Sequence, residues 1–252
     1  MLKVPDVDQM MYDAGIDVLH PGGLEKTDEM ACLCGIGPGQ RVLDVGSGRG
    51  ASACHLARRY DCDVTGTDCS QKMVVFSQTR ARCNGLGERV HFMVVDACAL
   101  PFPDGSFDLV LAECVTTMLD TEGALREMIR VVAPGGHVGD LEMTWRKPPP
   151  EEGRRETAKL WDGYATRTLP EWQGLMESLG LTEVQSVDFS EAIPGMEATM
   201  RRQLGLKGEL CIALRLLLSS NLRRATRLYA RVFHEYADYI GAGYVVGRKP
   251  SR

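Results

Sequence analysis

Short apolar runs alternate along this chain with longer amphipathic stretches. Parallel strands joined by crossover helices produce this pattern. The period predicts strands at Arg41 to Val45, Asp63 to Thr67, Val90 to Val95, Phe107 to Ala112 and His137 to Leu141, all short and most of them rich in β-branched residues. Helical spacing falls between them, at Gly50 to Arg59, Gln71 to Asn84 and Glu122 to Val132, with Ser70 and Thr121 placed as N-caps. Turn chemistry in Gly35–Gly39, Pro101–Gly105 and Ala133–Gly136 separates the units. After Trp145, the proline-rich, charged RKPPPEEGRR reads as a surface connection. A further helix, Leu169 to Leu179, and strands at Glu183 to Phe189 and Gly243 to Gly247 complete the pattern.

These elements predict an α/β fold: a Rossmann-like, seven-stranded, mostly parallel sheet with helices on both faces and a helical cap inserted near the C-terminus. The expected organisation is an N-terminal helical segment, 1–34, covering a ligand site, a Rossmann-like domain formed by 35–194 and 240–252, and the cap, 195–239.

Composition narrows the function. The chain has 252 residues, 44% of them hydrophobic, and a formal net charge of -5, too mild to imply a polyanionic partner. Binding of nucleic acid is therefore not expected. No run reaches the roughly 18 apolar residues of a membrane span, and the first residues lack the apolar core of a signal peptide, so the expected location is cytoplasmic. The nine cysteines are scattered as reduced thiols would be, and the Cys32/Cys34 pair lacks a second pair at zinc-site spacing, so no metal is expected. The C-terminal 195–252 carries eleven Lys or Arg against four Asp or Glu, a solvated helix face or an anion-attracting surface.

The densest chemistry lies in Val42-Leu43-Asp44-Val45-Gly46-Ser47-Gly48-Arg49-Gly50, where a strand runs into a glycine-rich turn and then a helix. Glycine there lets the backbone pass close to a ligand at the carboxyl edge of the sheet. The spacing is neither G-x-G-x-x-G nor a P-loop. Asp44 would repel a pyrophosphate but favour an ammonium or a sulfonium. Asp68, ending the next strand, could accept from both ribose hydroxyls. Asp96-Ala97 could read an adenine amino group and leave room for its ring, with Cys69 and Met73 as polarizable surface against it.

VLDVGSGRG, VTGTDCS, VDACALPFPDGSFDLVLAECV and LREMIRVVAPGGHVG occur in this order. Over Gly35 to Glu142 the chain thereby resembles the class I S-adenosylmethionine-dependent methyltransferases, in particular the small-molecule branch related to the ubiquinone and menaquinone methyltransferases. The resemblance implies S-adenosyl-L-methionine as cofactor, held by Asp44, Gly46, Ser47, Gly48, Asp68, Cys69, Asp96 and Ala97. Ser47 stands where the family often has cysteine, and Cys69 where it often has an aliphatic residue. It also implies that the amino-terminal segment folds over the cofactor, which makes Tyr12 and His20 pocket candidates.

Glu113, past the fourth strand, should face the same cleft as a cofactor ligand or general base. Glu113, His20 and Glu142 are the three candidate bases, although displacement at a sulfonium carbon needs mainly alignment of a nucleophile and exclusion of water. The expected partner is a small-molecule methyl acceptor, with a homodimer left open. The competing readings are a non-catalytic S-adenosylmethionine-binding regulator or partner subunit, a nicotinamide-dependent dehydrogenase, and a metalloid methyltransferase using Cys69, Cys98 and Cys114.

Overall fold

A computed structural model describes residues 6–160 and 166–251. The parts of the expected segments at 1–5, 161–165 and 252 lie outside the described residues. Seven strands, β1 (Arg41–Val45), β2 (Asp63–Asp68), β3 (Val90–Val94), β4 (Phe107–Glu113), β5 (Val132–Trp145), β6 (Thr182–Asp188) and β7 (Ile240–Arg248), form one sheet in the order β3-β2-β1-β4-β5-β7-β6. All pairings are parallel except those of β7, which runs antiparallel to β5 and β6.

Alternation along the strands explains the layering. Val42, Leu109, Leu111 and Leu141 point to the face covered by α2 (Gly23–Leu33), α3 (Ala51–Tyr60) and α4 (Gln71–Cys83). Leu43, Val45, Val110 and Val138 point to the other, covered by α5 (Thr121–Val131) and α7 (Leu169–Ser178). By the same alternation Asp44 and Glu113 fall on the α2/α3 face, and Asp140 and Glu142 on the α5 face.

Several local expectations need correction. Ser70 caps α4 by accepting from Met73 N, but α5 is capped by Asp120, which accepts from Gly123 N; Thr121 Oγ1 instead donates to Thr116 O. The expected reversal at Ala133–Gly136 is an irregularity inside β5, between Val132 opposite Phe107 and His137 opposite Leu109. β5 also extends to Trp145, because antiparallel pairing with β7 holds it from His137 to Trp145. The stretch read as a mere connection contains α6 (Glu151–Ala158), which starts after Pro150, a residue with fixed φ suited to that place.

Ahead of β1 stand α1 (Asp6–Ala14) and α2; between β6 and β7 run α8 (Ile193–Leu218), kinked at Gly205, and α9 (Ser220–Glu235). α8 packs on α1, with Val7, Met10 and Leu222 making a small satellite core. No helix among the described residues is long and apolar enough to cross a membrane.

Candidate active site

At the carboxyl edge of β1, Gly46, Gly48 and Gly50 all take positive φ (72°, 49° and 72°). A Cβ on Gly46 would lie 2.3 Å from Val115 Cγ2, so the close approach of the segment after β4 also demands glycine. Asp68 ties this turn to the next unit, accepting from Gly48 N (3.0 Å) and Ser70 N (2.8 Å). Burial lifts its pKa, and these two N–H groups oppose the rise. Each carboxylate oxygen keeps a second lone pair.

Tyr12 of α1 closes over the turn: its hydroxyl would lie 3.1 Å from a Cβ on Gly48. Burial, then the charges of Asp8 and Asp68, hold its phenol well above the ordinary range. Arg49 fastens this cover by donating to Tyr12 O, pairing with Asp17 (3.3 Å) and stacking 3.6 Å from the centre of the Phe76 ring. Asp13, one residue on, pairs with Lys72 of α4 and Arg215 of α8.

Beneath the turn lies a buried charged cluster. Glu113 accepts from Thr27 Oγ1 (2.6 Å) and Ser52 Oγ, and pairs with His20 Nε2 (3.3 Å). Burial pushes Glu113 up, yet His20 and the hydroxyls bring it below the ordinary carboxylate value. Burial likewise depresses His20, but Glu113 raises it more, with help from the Pro21 carbonyl and Asp44. Asp44 is less well compensated: burial and the charges of Glu113 and Asp68 push it up to about 8 against the opposing His20 charge and the Ala53 N–H, and its Oδ2 has no hydrogen-bond partner among the described residues. Ser47 Oγ and Thr67 Oγ1, nearby in sequence, are buried and have no hydrogen-bond partner among the described residues.

On the opposite face Glu142 anchors the segment after β4. It accepts from Val115 N (2.9 Å), Thr117 N (3.2 Å) and Thr117 Oγ1 (2.8 Å). Thr116 Oγ1 stands 2.7 Å from Asp140 Oδ2 and 3.1 Å from Glu142 Oε1. A hydroxyl has one proton to give, so both contacts are satisfied when one carboxyl is protonated. Burial and the neighbouring Glu142 charge raise Asp140 well above its ordinary value, and burial raises Glu142 too, so both shifts favour a proton held by the pair. This network supports Cys114 in a left-handed conformation (φ 55°), the strained exit from β4. We predict that Thr116→Val costs about 1–3 kcal/mol of stability and changes cofactor affinity by less than about twofold, measured by thermal unfolding and titration calorimetry.

A family described as a methyltransferase domain matches residues 43–139. The chain is 33% identical over 184 residues to the 27-O-demethylrifamycin SV methyltransferase of Amycolatopsis mediterranei, spanning 71% of this chain and 68% of that enzyme. It belongs to the S-adenosylmethionine-dependent methyltransferases. A plant relative, the ajmaline N-methyltransferase of Rauvolfia serpentina, is 40% identical over 114 residues, 45% of this chain and 39% of that one. Thus the chain spans from about two thirds to well under half of its curated relatives. Among solved structures, a S-adenosylmethionine-dependent methyltransferase from Geobacter sulfurreducens bound to S-adenosylhomocysteine superposes with TM-score 0.71 at 25% identity, covering 98% of this chain and 99% of that one. A [4+2]-cyclase, SpnF, superposes with TM-score 0.79 at 26% identity, covering 98% and 94%.

The residues of this methyltransferase-family site fit the cofactor. The glycine turn is a cradle a side chain would fill, and Asp44 Oδ2 is a buried acceptor lacking a donor, suited to a cationic group. The structure brings Tyr12, Asp44, Gly46, Ser47, Gly48 and Asp68 to one edge of the sheet. Met73 is buried at the start of α4; Cys69 is exposed, Ala97 half-buried, and Asp96 exposed, where it accepts from Cys98 N. His20, Glu113 and Glu142 are buried, each already engaged by protein groups.

Sequence reading missed Thr27, Ser52, Arg49, Thr116, Thr117 and Asp140. Asp140 and Glu142, two apart in an apolar strand, were a visible signal; Thr27, 86 residues from Glu113, gave none. Among the described residues no group of three or more His, Cys, Asp or Glu could hold a metal ion. We expect Gly46→Ala to weaken cofactor binding by at least about tenfold, because its Cβ displaces Val115 and its φ is strained, as read by calorimetric titration.

Proposed function

We propose that this chain transfers a methyl group from S-adenosylmethionine to a hydroxyl or amine of a small, largely apolar molecule. The observation that carries this reading is the buried, unpartnered Asp44 oxygen beside the glycine turn. When bound, the cofactor supplies a methyl group already activated on a sulfonium.

Asp44 provides the negative charge facing the cationic end of the cofactor, and Asp68 accepts from the ribose. Asp96, Ala97, Met73 and Cys69 border the adenine. Tyr12, fastened by Arg49, excludes water from above. Glu113 and His20 act as positioning residues, locking Thr27 of α2 and Ser52 of α3 under the turn, and Glu142 positions the segment bordering the acceptor. His20, Glu113 and Glu142 are each engaged by protein groups, so in this reading alignment is their main task and the proton of the acceptor hydroxyl or amine leaves to water as the methyl bond to sulfur breaks.

Met143, Trp145, Leu160, Phe233 and Ile240, at the ends of β5 and β7, form the apolar wall proposed for the acceptor side; the recess among them holds only about 10 Å³, so the acceptor is placed along this wall and not inside the recess. It lies two strands, about 10 Å, across the sheet from the glycine turn. Thr166 Oγ1, buried and without a hydrogen-bond partner among the described residues, supplies a polar contact there. We read α8 and α9 as the cap. Names of relatives support oxygen and nitrogen acceptors alike.

The likeness to a [4+2]-cyclase favours a second reading, in which the cofactor is bound but its methyl is not transferred. Calorimetric titration with S-adenosylmethionine and with nicotinamide dinucleotide tests the common part. Binding of the first alone is expected; binding of the dinucleotide alone refutes both readings.

A further inference from the structure

Five leucines of α8 remain exposed: Leu206, Leu210, Leu214, Leu217 and Leu218, between 53% and 86%. At 100° per residue after the Gly205 kink they occupy one face of the helix, about 120° wide. The opposite face is engaged. Gly208 sits so close to α1 that a Cβ would lie 2.5 Å from Ala14 O, Ile212 and Leu216 join the core formed with Val7, Met10 and Leu222, and Arg215 pairs with Asp13. Because α1 carries Tyr12 over the glycine turn, α8 is an outer layer above the cofactor edge, with its leucines turned away from α1.

Charge accompanies this stripe. α8 and α9 together contain eight Lys or Arg against three Asp or Glu, a net of +5 in a chain whose formal net charge is -5. Lys207 falls between the angular positions of Leu214 and Leu218, and Arg224 and Arg227 of α9 are exposed. A convex stripe one helix wide falls short of the roughly 20–30 residues a side used by a stable protein interface. Exposed leucines on α8, with cations on the adjoining amphipathic α9, instead match the requirements of an interface between headgroups and acyl chains. We propose that the outer face of α8, with the basic face of α9, docks this protein on an anionic lipid bilayer. Docking there sets the cofactor edge near the membrane surface, where an apolar acceptor would partition. The inference stands independently of methyl transfer.

Flotation with vesicles of phosphatidylcholine mixed with phosphatidylglycerol, against pure phosphatidylcholine, tests it on the full chain. Binding to the anionic vesicles, weakened by salt, is expected. Leu210→Asp with Leu214→Asp should lower it at least about tenfold, and Arg224→Glu with Arg227→Glu should abolish the preference for anionic lipid. All four positions are exposed, and unchanged circular dichroism and cofactor titration verify that the variants fold. Absence of binding to anionic vesicles at low salt, or binding that the leucine variants leave unchanged, overturns the proposal. So does a dimer in light scattering that the leucine variants dissolve, which would assign the stripe to a second copy.

Discussion

Asp44→Asn is expected to weaken S-adenosylmethionine binding by about 100-fold, the loss of one partner from a buried charge pair, while making the ligand-free protein more stable. The two effects share a cause. Without a cationic ligand Asp44 is a buried carboxyl beside Glu113 and Asp68, and its pKa stands at about 8. Unfolded, the same group titrates near 3.9. A folded value raised above the unfolded one favours the folded state in acid, and that contribution is progressively lost as pH rises from about 4 to about 8. The fully lost contribution is on the order of 5 kcal/mol. An asparagine does not titrate, so its stability lacks this slope.

At pH 8 the variant should melt several degrees above the parent, at roughly 2–4 °C per kcal/mol for a chain of this size. Cofactor affinity of the parent should rise with pH up to about 8, as Asp44 ionises more readily, and the variant should not share this rise. Calorimetry across pH and thermal scans of both proteins check the pair of effects. Equal affinity in the two proteins would remove Asp44 from the site.

The second large effect concerns the cluster beneath the turn. Glu113→Ala takes away the acceptor of Thr27 Oγ1 and Ser52 Oγ and leaves His20 buried without its counter-charge. Breaking a buried pair by removing one partner costs about 3–5 kcal/mol, a fall in melting temperature of roughly 10 °C. The pH window follows from the shifts. Glu113 is depressed, so its contribution is present above the ordinary carboxylate value and is lost as pH falls through the folded value. His20 is raised, so its contribution is complete below about 6.5 and is lost as pH rises through the folded value. The pair therefore stabilises most between these limits, and Glu113→Ala should flatten the profile there.

Replacing both partners, Glu113→Gln with His20→Gln, removes the orphaned charge and should recover part of the loss, so that the single changes do not add. Hydrogen exchange should show α2 losing protection in the alanine variant, because Thr27 is its tie to β4. A variant melting within a degree of the parent would show that the cluster holds nothing together.

What the sequence made legible was local. The glycine turn, Asp44 and Asp68 follow from one strand-turn-helix and the strand after it, and their chemistry can be stated without knowing what lies across the chain. The succession of strands and helices along the chain was likewise visible in their period. The ends of β5 were not, because its length is set by pairing with β7, about a hundred residues later. The roles of Glu113 and Glu142 were open for the same reason. A carboxylate at a strand end reads equally as base, ligand or anchor until its partners are known; beside His20 those partners are hydroxyls on Ser52, Thr27, Thr116 and Thr117 and backbone N–H groups, too common to carry a signal. The N-cap of α5 turned on one residue: Asp120 and Thr121 both have the right chemistry, and only the entry geometry selects Asp120.

The most direct test of methyl transfer is to incubate the chain with methyl-labelled S-adenosylmethionine and a panel of apolar small molecules bearing hydroxyls or amines. The account predicts labelled acceptor and S-adenosylhomocysteine in equal amounts, both lost in Asp44→Asn. Tight cofactor binding with no label transferred to any acceptor, or transfer unaffected by Asp44→Asn, would contradict it.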